Sequence, residues 1–386
     1  MADSSGIGAR LGVRLMMATA LLALAACGSD DGGDALRLNQ MQVVGSHNSY
    51  HIQPGEVLFG LLVDALGQTI AEDFEYTHTP LGEQFENEGV RQIELDVYYD
   101  PDGGLYESPI GLQIPSGDPM ALIPGLDLPG FKVLHVQEVD FETTCKTLIE
   151  CLEDVKAWSD DHSHHVPIMI LIEAKDDEIS DPLDLGFLVP PQIDAAALDM
   201  LDDEIRSVFP AKQLITPDDV RGDRDTLEEA IAMDGWPTLK SSRGKVLFAL
   251  DNGGAKKAAY IDGHPSLRGR ILFTSSGPGE PEAAFVKAND PIGDFDRIQQ
   301  LVADGFIVRT RADSPEGREA RNNDTMKRDV AIASGAQFVS TDYPVPNPDF
   351  GTGYQVQMPG GMPARCNPIS APADCTAVEI EDPARL

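Results

Sequence analysis

The sequence has no block of basic residues: 29 Lys and Arg stand against 64 Asp and Glu, a formal net charge of −35. A field of that sign repels nucleic acid and anionic bilayers, which excludes a DNA- or RNA-binding role and electrostatic docking on acidic lipid. Cysteine is scarce, five in 386 residues, and no CxxC pair occurs, so a thiolate zinc site is not expected. The apolar run over residues 15–26 is too short to span a membrane. There is no internal repeat of fixed period and no low-complexity array, which sets aside solenoids.

What stands at the beginning is a targeting signal. Arg10 and Arg14 precede the apolar run, which closes on Leu24-Ala25-Ala26-Cys27. Small residues directly before a cysteine resemble the lipobox of bacterial lipoproteins. That resemblance implies a signal peptide over residues 1–26, lipidation of Cys27, a polar tether to residue 35, and an exported chain held at the cell envelope, facing the periplasm or the cell surface. An ordinary secretory signal cleaved nearby is the alternative. Past this segment Cys145, Cys151, Cys366 and Cys375 remain. An even number in an exported chain predicts two disulfides; of three connectivities, the pairing of nearest neighbours is preferred.

Length and pattern predict one domain over residues 36–343, an irregular α/β barrel of the (β/α)8 TIM type. Eight short apolar runs have strand character: residues 41–44, 91–98, 132–136, 168–173, 246–250, 271–274, 306–309 and 337–340. Stretches with helical spacing lie between them, at residues 56–71, 145–158, 195–208 and 294–302, and the alternation argues for parallel strands with crossover helices. Residues 176–243 exceed one βα unit and read as an insertion or a cover. Beyond residue 343 the composition turns to Pro and Gly, and a disulfide-stapled tail is expected over residues 344–386.

Four strand ends carry polar residues that a buried strand does not need. His47 and Asn48 follow the first run; the histidine exchanges protons near neutral pH and the amide offers a hard oxygen. Glu94 and Asp96 alternate with Ile93, Leu95 and Val97, so both lie on one face of a buried strand, where two like charges are costly unless a cation compensates them. Glu173 closes a run that is otherwise apolar from residue 167, and Lys175 follows. Asn48 and the three acids form an oxygen set suited to Ca²⁺, with Mg²⁺ left open. His135 ends another run. Two histidines flanking such an ion divide the work of acid and base.

In that order, His47-Asn48-Ser49-Tyr50, Glu94-Leu95-Asp96, His135 and Glu173 resemble the catalytic barrel of calcium-dependent phosphoinositide-specific phospholipase C. Residues 215–222, Gly235-Trp236-Pro237 and residues 244–251 resemble its single-domain bacterial and fungal branch. The resemblance implies Ca²⁺ held by Asn48, Glu94, Asp96 and Glu173. It further implies attack of the inositol 2-hydroxyl on phosphorus, departure of diacylglycerol, and a cyclic inositol phosphate as first product. His135 would protonate the leaving oxygen; His47 would act as base or hold phosphoryl oxygens, with Glu94 sharing the base role. Lys175 would contact phosphate and Arg309 inositol hydroxyls. The membrane would be met through the lipid anchor, and no protein partner is implied. Two rivals remain: a glycerophosphodiester phosphodiesterase, against which Asn48 counts because arginine is expected after its first histidine, and a catalytically silent cation-binding surface lipoprotein.

Overall fold

The computed structural model describes residues 36–181 and 184–386. The signal segment, the tether and Cys27 lie outside the described residues. Eight strands run parallel in the order β6-β5-β4-β2-β1-β9-β8-β7. They are β1 (Met41–Ser46), β2 (Val90–Tyr98), β4 (Ile168–Ala174), β5 (Val246–Leu250), β6 (Leu272–Thr274), β7 (Phe285–Lys287), β8 (Ile307–Arg311) and β9 (Phe338–Thr341). A parallel bridge between Ser275 and Phe285 links the two free edges, so the barrel is nearly closed. Strands buried on both faces need near-continuous apolar runs, and β4 and β5 have them.

One expected barrel strand is corrected. Within residues 132–136 only β3 (Lys132–Val133) is a strand, and it lies antiparallel on the end of β2 through Val97↔Val133 and Tyr98↔Lys132. Val136 instead forms a bridge with Asp140, closing a tight turn. The eighth barrel member is the three-residue β7, too short to carry a period of its own. A short apolar run looks the same whether its strand lies parallel in a barrel or antiparallel at its rim.

The helices follow the predicted periods with ends set by local chemistry. The stretch 56–71 splits at Gly67, whose φ of 87° no side-chain-bearing residue adopts cheaply, into Glu56–Leu66 and Gln68–Ala71. The helix Leu148–Asp161 starts three residues later than expected because the Thr147 side chain caps it, accepting from the Glu150 amide at 3.1 Å. Ala195–Val208 and Phe295–Ala303 complete the set. Both nearest-neighbour disulfides form, Cys145–Cys151 and Cys366–Cys375.

The region after residue 343 packs onto the barrel. β10 (Ala364–Cys366) pairs antiparallel with β1, from Met41↔Cys366 to Val43↔Ala364. The buried Glu381 carboxylate receives Arg91 at the start of β2 and the Val166 amide just before β4, the latter at 2.7 Å. These contacts engage the N-terminal ends of the strands. The C-terminal ends carry the polar residues.

Candidate active site

β1 delivers its two polar residues through a crowded turn. A Cβ on Gly45 would sit 2.0 Å from the Gln92 side-chain oxygen, so only glycine lets β1 approach β2 there. Ser46 bonds Ser49 and Gln84, each at 2.7 Å, and the Ser49 hydroxyl accepts the Glu94 amide at 2.8 Å. This lattice ties the turn to β2. Asn48 then adopts φ 42°, the left-handed region that asparagine tolerates better than most residues. Its amide nitrogen donates to the Tyr76 hydroxyl at 2.9 Å, while its buried Oδ1 has no hydrogen-bond partner among the described residues.

Three acids meet beside it. Glu94 and Asp96 project from one face of β2, and Asp96 stands opposite Glu173 in the β2–β4 register. Carboxylate oxygens of all three lie within 4.8 Å of one another. Burial, only partly offset by Arg309, pushes Glu94 up to about 8, with Asp251 and Asp96 adding to the rise. Burial and then Asp96 push Glu173 up to about 7 against the pull of Lys175. Asp96 Oδ2 accepts from Lys175 Nζ at 3.0 Å, but its buried Oδ1 has no partner among the described residues. Two orphaned oxygens beside crowded carboxylates are what a hard, multiply coordinated cation would satisfy. The donor set fits a calcium-like ion, and Asn48, Glu94, Asp96 and Glu173 are the residues able to hold it.

Two histidines are each held by a buried carboxylate. His47 Nδ1 lies 2.7 Å from Asp342 Oδ1, and its Nε2 lies 3.7 Å from Glu94 Oε1. Arg311 holds the other oxygen of Asp342 at 2.8 Å. Burial and the Arg311 charge push the His47 imidazolium well below its usual range, against the pull of Asp342. His135 lies off the sheet, in the loop after β3, and its Nδ1 is 2.6 Å from Asp140 Oδ2. Both rings reach solvent at one edge, with side-chain exposures of 21% and 18%. Nδ1 of each ring is thus engaged by a carboxylate, which leaves Nε2 as the second ring nitrogen.

All eight residues singled out in the barrel thus come to its C-terminal ends. Lys175 pairs with Asp96. Arg309 is buried, its guanidinium taken up by Glu94, by Asn289 at 2.7 Å and by Ser340 at 3.0 Å. Sequence reasoning did not single out Asp342, Asp140, His51, Arg311 or the pair of Asp251 and Lys287. Asp251 follows directly on the apolar strand β5, the same signal that marked Glu173, and was legible on that ground; Asp342 follows the half-polar Phe338–Thr341 and carried a weaker mark. Asp140 had no such mark.

A family model described as phosphoinositide phospholipase C, Ca²⁺-dependent, matches residues 36–368. No curated protein matches the chain. Among solved structures, a calcium-dependent phosphoinositol-specific phospholipase C from the Gram-negative bacterium Pseudomonas sp. is similar in its apo form at 18% identity and TM-score 0.51, over 87% of this chain and 96% of that one. Its myo-inositol complex gives 19% and 0.52, over 86% and 96%. A Ca²⁺-dependent phosphatidylinositol-specific phospholipase C from Streptomyces antibioticus is 18% identical, with TM-score 0.48, over 82% of this chain and 97% of that one. At these identities the likeness to the two Pseudomonas structures speaks for the barrel alone.

Proposed function

The chain belongs to the Ca²⁺-dependent phosphoinositide phospholipase C family, and on that premise we propose that it cleaves phosphatidylinositol-type phosphodiesters to diacylglycerol and a cyclic inositol phosphate. The observation that carries this reading is one cluster of three acids, with His47 beside it, in a barrel that also holds a second carboxylate-aimed histidine, His135. An ion held by Asn48, Glu94, Asp96 and Glu173, with Ca²⁺ as the expected species, would lower the pKa of the attacking hydroxyl and offset charge on the phosphate.

The remaining work falls to this chain's own side chains. Asp342 accepts the Nδ1 proton of His47, which leaves Nε2 as the lone-pair nitrogen on the cleft side, suited to taking the proton of the inositol 2-hydroxyl. Asp140 fixes His135 in the same way, so the His135 Nε2 proton is the one available to the leaving diacylglycerol oxygen. Lys175 is near enough to the acids to meet a phosphate oxygen. Arg309 holds Glu94 in line, and contact with inositol hydroxyls is a second role for it.

A lipid substrate is supported by the substructure beside His135. The helix Glu56–Leu66 packs with residues 105–141 through Leu58, Leu62, Tyr106 and Leu126, and Phe74 of this cluster meets the His135 ring at 5.6 Å. The same segments expose Val57, Leu61, Ile114, Met120 and Leu122, and the helix Gln68–Ala71 exposes Ile70. Apolar exposure of this kind marks an interaction surface, and at a net charge of −35 contact with lipid must be apolar rather than electrostatic. Lipidation at Cys27 would hold the enzyme at the envelope as an exported lipoprotein.

The test is a panel of phosphodiesters incubated with and without calcium, with products identified. Cyclic inositol phosphate formed only with calcium is the expected result. Full turnover in excess chelator, or turnover of glycerophosphodiesters alone, would overturn the reading.

A further inference from the structure

We infer that His51, which touches no reacting atom, is a positioning residue that holds Asp140 as a charge-neutralised acceptor behind His135 and thereby sets the acid strength of His135. The inference rests on the reading of His135 as the proton donor to the leaving oxygen.

The ground is a count of hydrogens. His51 is wholly buried. Its Nδ1 lies 2.9 Å from the Tyr76 carbonyl oxygen, and its Nε2 lies 2.9 and 2.8 Å from the two oxygens of Asp140. A carbonyl and an ionised carboxylate only accept, so each ring nitrogen of His51 must carry a proton, and the ring is an imidazolium. The alternative, a protonated Asp140, is disfavoured: despite burial, the two histidines hold its carboxyl down at about 2. Tyr76 stacks on the His51 ring at 4.2 Å and keeps it in the plane that both contacts require.

Asp140 Oδ2 is shared between His51 and His135, at 2.8 and 2.6 Å. Its charge is therefore balanced on the side away from the cleft. A bare buried carboxylate would stabilise the His135 imidazolium and make it a reluctant donor; a balanced one keeps the orienting bond without that penalty. The other dyad is built alike. Asp342 joins His47 to Arg311, again a carboxylate with a catalytic ring on one oxygen and a cation on the other. His135 is also faced by Asp73 and Phe74 from the segment after the Gln68–Ala71 helix, and by Tyr98 of β2, whose hydroxyl donates to the His135 carbonyl at 3.2 Å. Among the described residues, the side chains bonded to the Asp140 carboxylate are those of His51 and His135.

The experiment is ring-nitrogen NMR on the full chain labelled with ¹⁵N-histidine, with calcium present. In the wild-type protein at pH 8 both His51 nitrogens are expected to be protonated; a bare nitrogen on His51 overturns the inference. In His51→Gln, whose amide can still donate to Asp140 but carries no charge, the His135 midpoint is expected to rise by about one pH unit, a tenfold weaker acid. The alkaline limb of the cleavage profile should move with it. Asp140→Asn should lower the midpoint instead. An unmoved His135 midpoint in His51→Gln also overturns the inference, and if that variant does not fold, the wild-type proton count decides. Failure of the catalytic reading is separately visible as full activity in His135→Ala, a variant in which both His51 nitrogens should still carry protons.

Discussion

The Asp342 carboxylate binds Nδ1 of His47 at 2.7 Å, joining the end of β9 to the end of β1 across 295 residues of sequence. In the proposed reaction one ring nitrogen serves orientation and the other chemistry. Asp342→Asn keeps the shape and removes the charge. Its kcat should fall by about 10²–10⁴, the range for losing an oriented acid or base, with KM little changed. Steady-state kinetics check this, and an unchanged kcat would remove Asp342 from the machinery.

The acid cluster should trade stability for ion binding. Glu173→Gln removes one of three crowded buried carboxyls, so in excess chelator its melting temperature should rise above wild type, by a few degrees for a relief of about 1 kcal/mol. With calcium the order should reverse, and titration calorimetry should find affinity reduced by about tenfold or more. Asn48→Ala should weaken calcium binding without the stabilisation in chelator, because it removes no charge. Equal calcium affinity in all three proteins would count against this ligand set.

Contact with lipid is separable from chemistry. Val57→Ser combined with Met120→Ser leaves the dyads and the acids untouched, both side chains being exposed, at 63% and 76%. Binding to neutral phosphatidylcholine vesicles should drop several-fold, by about 1–2 kcal/mol of lost apolar burial, while cleavage of a short-chain monomeric substrate holds. Parallel loss of both activities would refute a docking role for this face.

Part of the acid stability should rest on a histidine outside the candidate site. His165 is fully buried between the Ser159 hydroxyl at 2.7 Å and the Val166 carbonyl at 2.6 Å, and burial pushes it down to about 4. A depressed folded pKa means that the unfolded chain takes up a proton first. The stability from His165 is therefore complete above pH 6.5 and lost as pH falls toward 4, amounting to about 2 kcal/mol by pH 5. Urea unfolding at pH 7 and pH 5 measures the slope, and His165→Gln should flatten it; an unchanged slope would assign the loss elsewhere.

The barrel was legible where residues repeat at a short period. Alternation around Ile93, Leu95 and Val97 placed Glu94 and Asp96 on one face, and the structure brings that face to Glu173. The three-residue β7 has no period to read, and residues 132–136 mimic a barrel strand because apolar content does not encode direction. The groups behind the histidines were illegible for another reason. Asp140 and His51 are polar residues in loops, and their meaning lies in a contact across 89 positions that no local pattern announces.

The pairing of β10 with β1 also has a consequence in time. β1 is the strand that ends in His47 and Asn48, yet its outer neighbour is supplied by Ala364–Cys366, and Arg91 finds its carboxylate only at Glu381, 290 positions later. A ribosome that has made every residue of the candidate site up to Asp342 has still not made the segment that seats the first strand. In the emerging polypeptide, seating of β1 and pairing of Arg91 therefore wait on residues made after the whole candidate site.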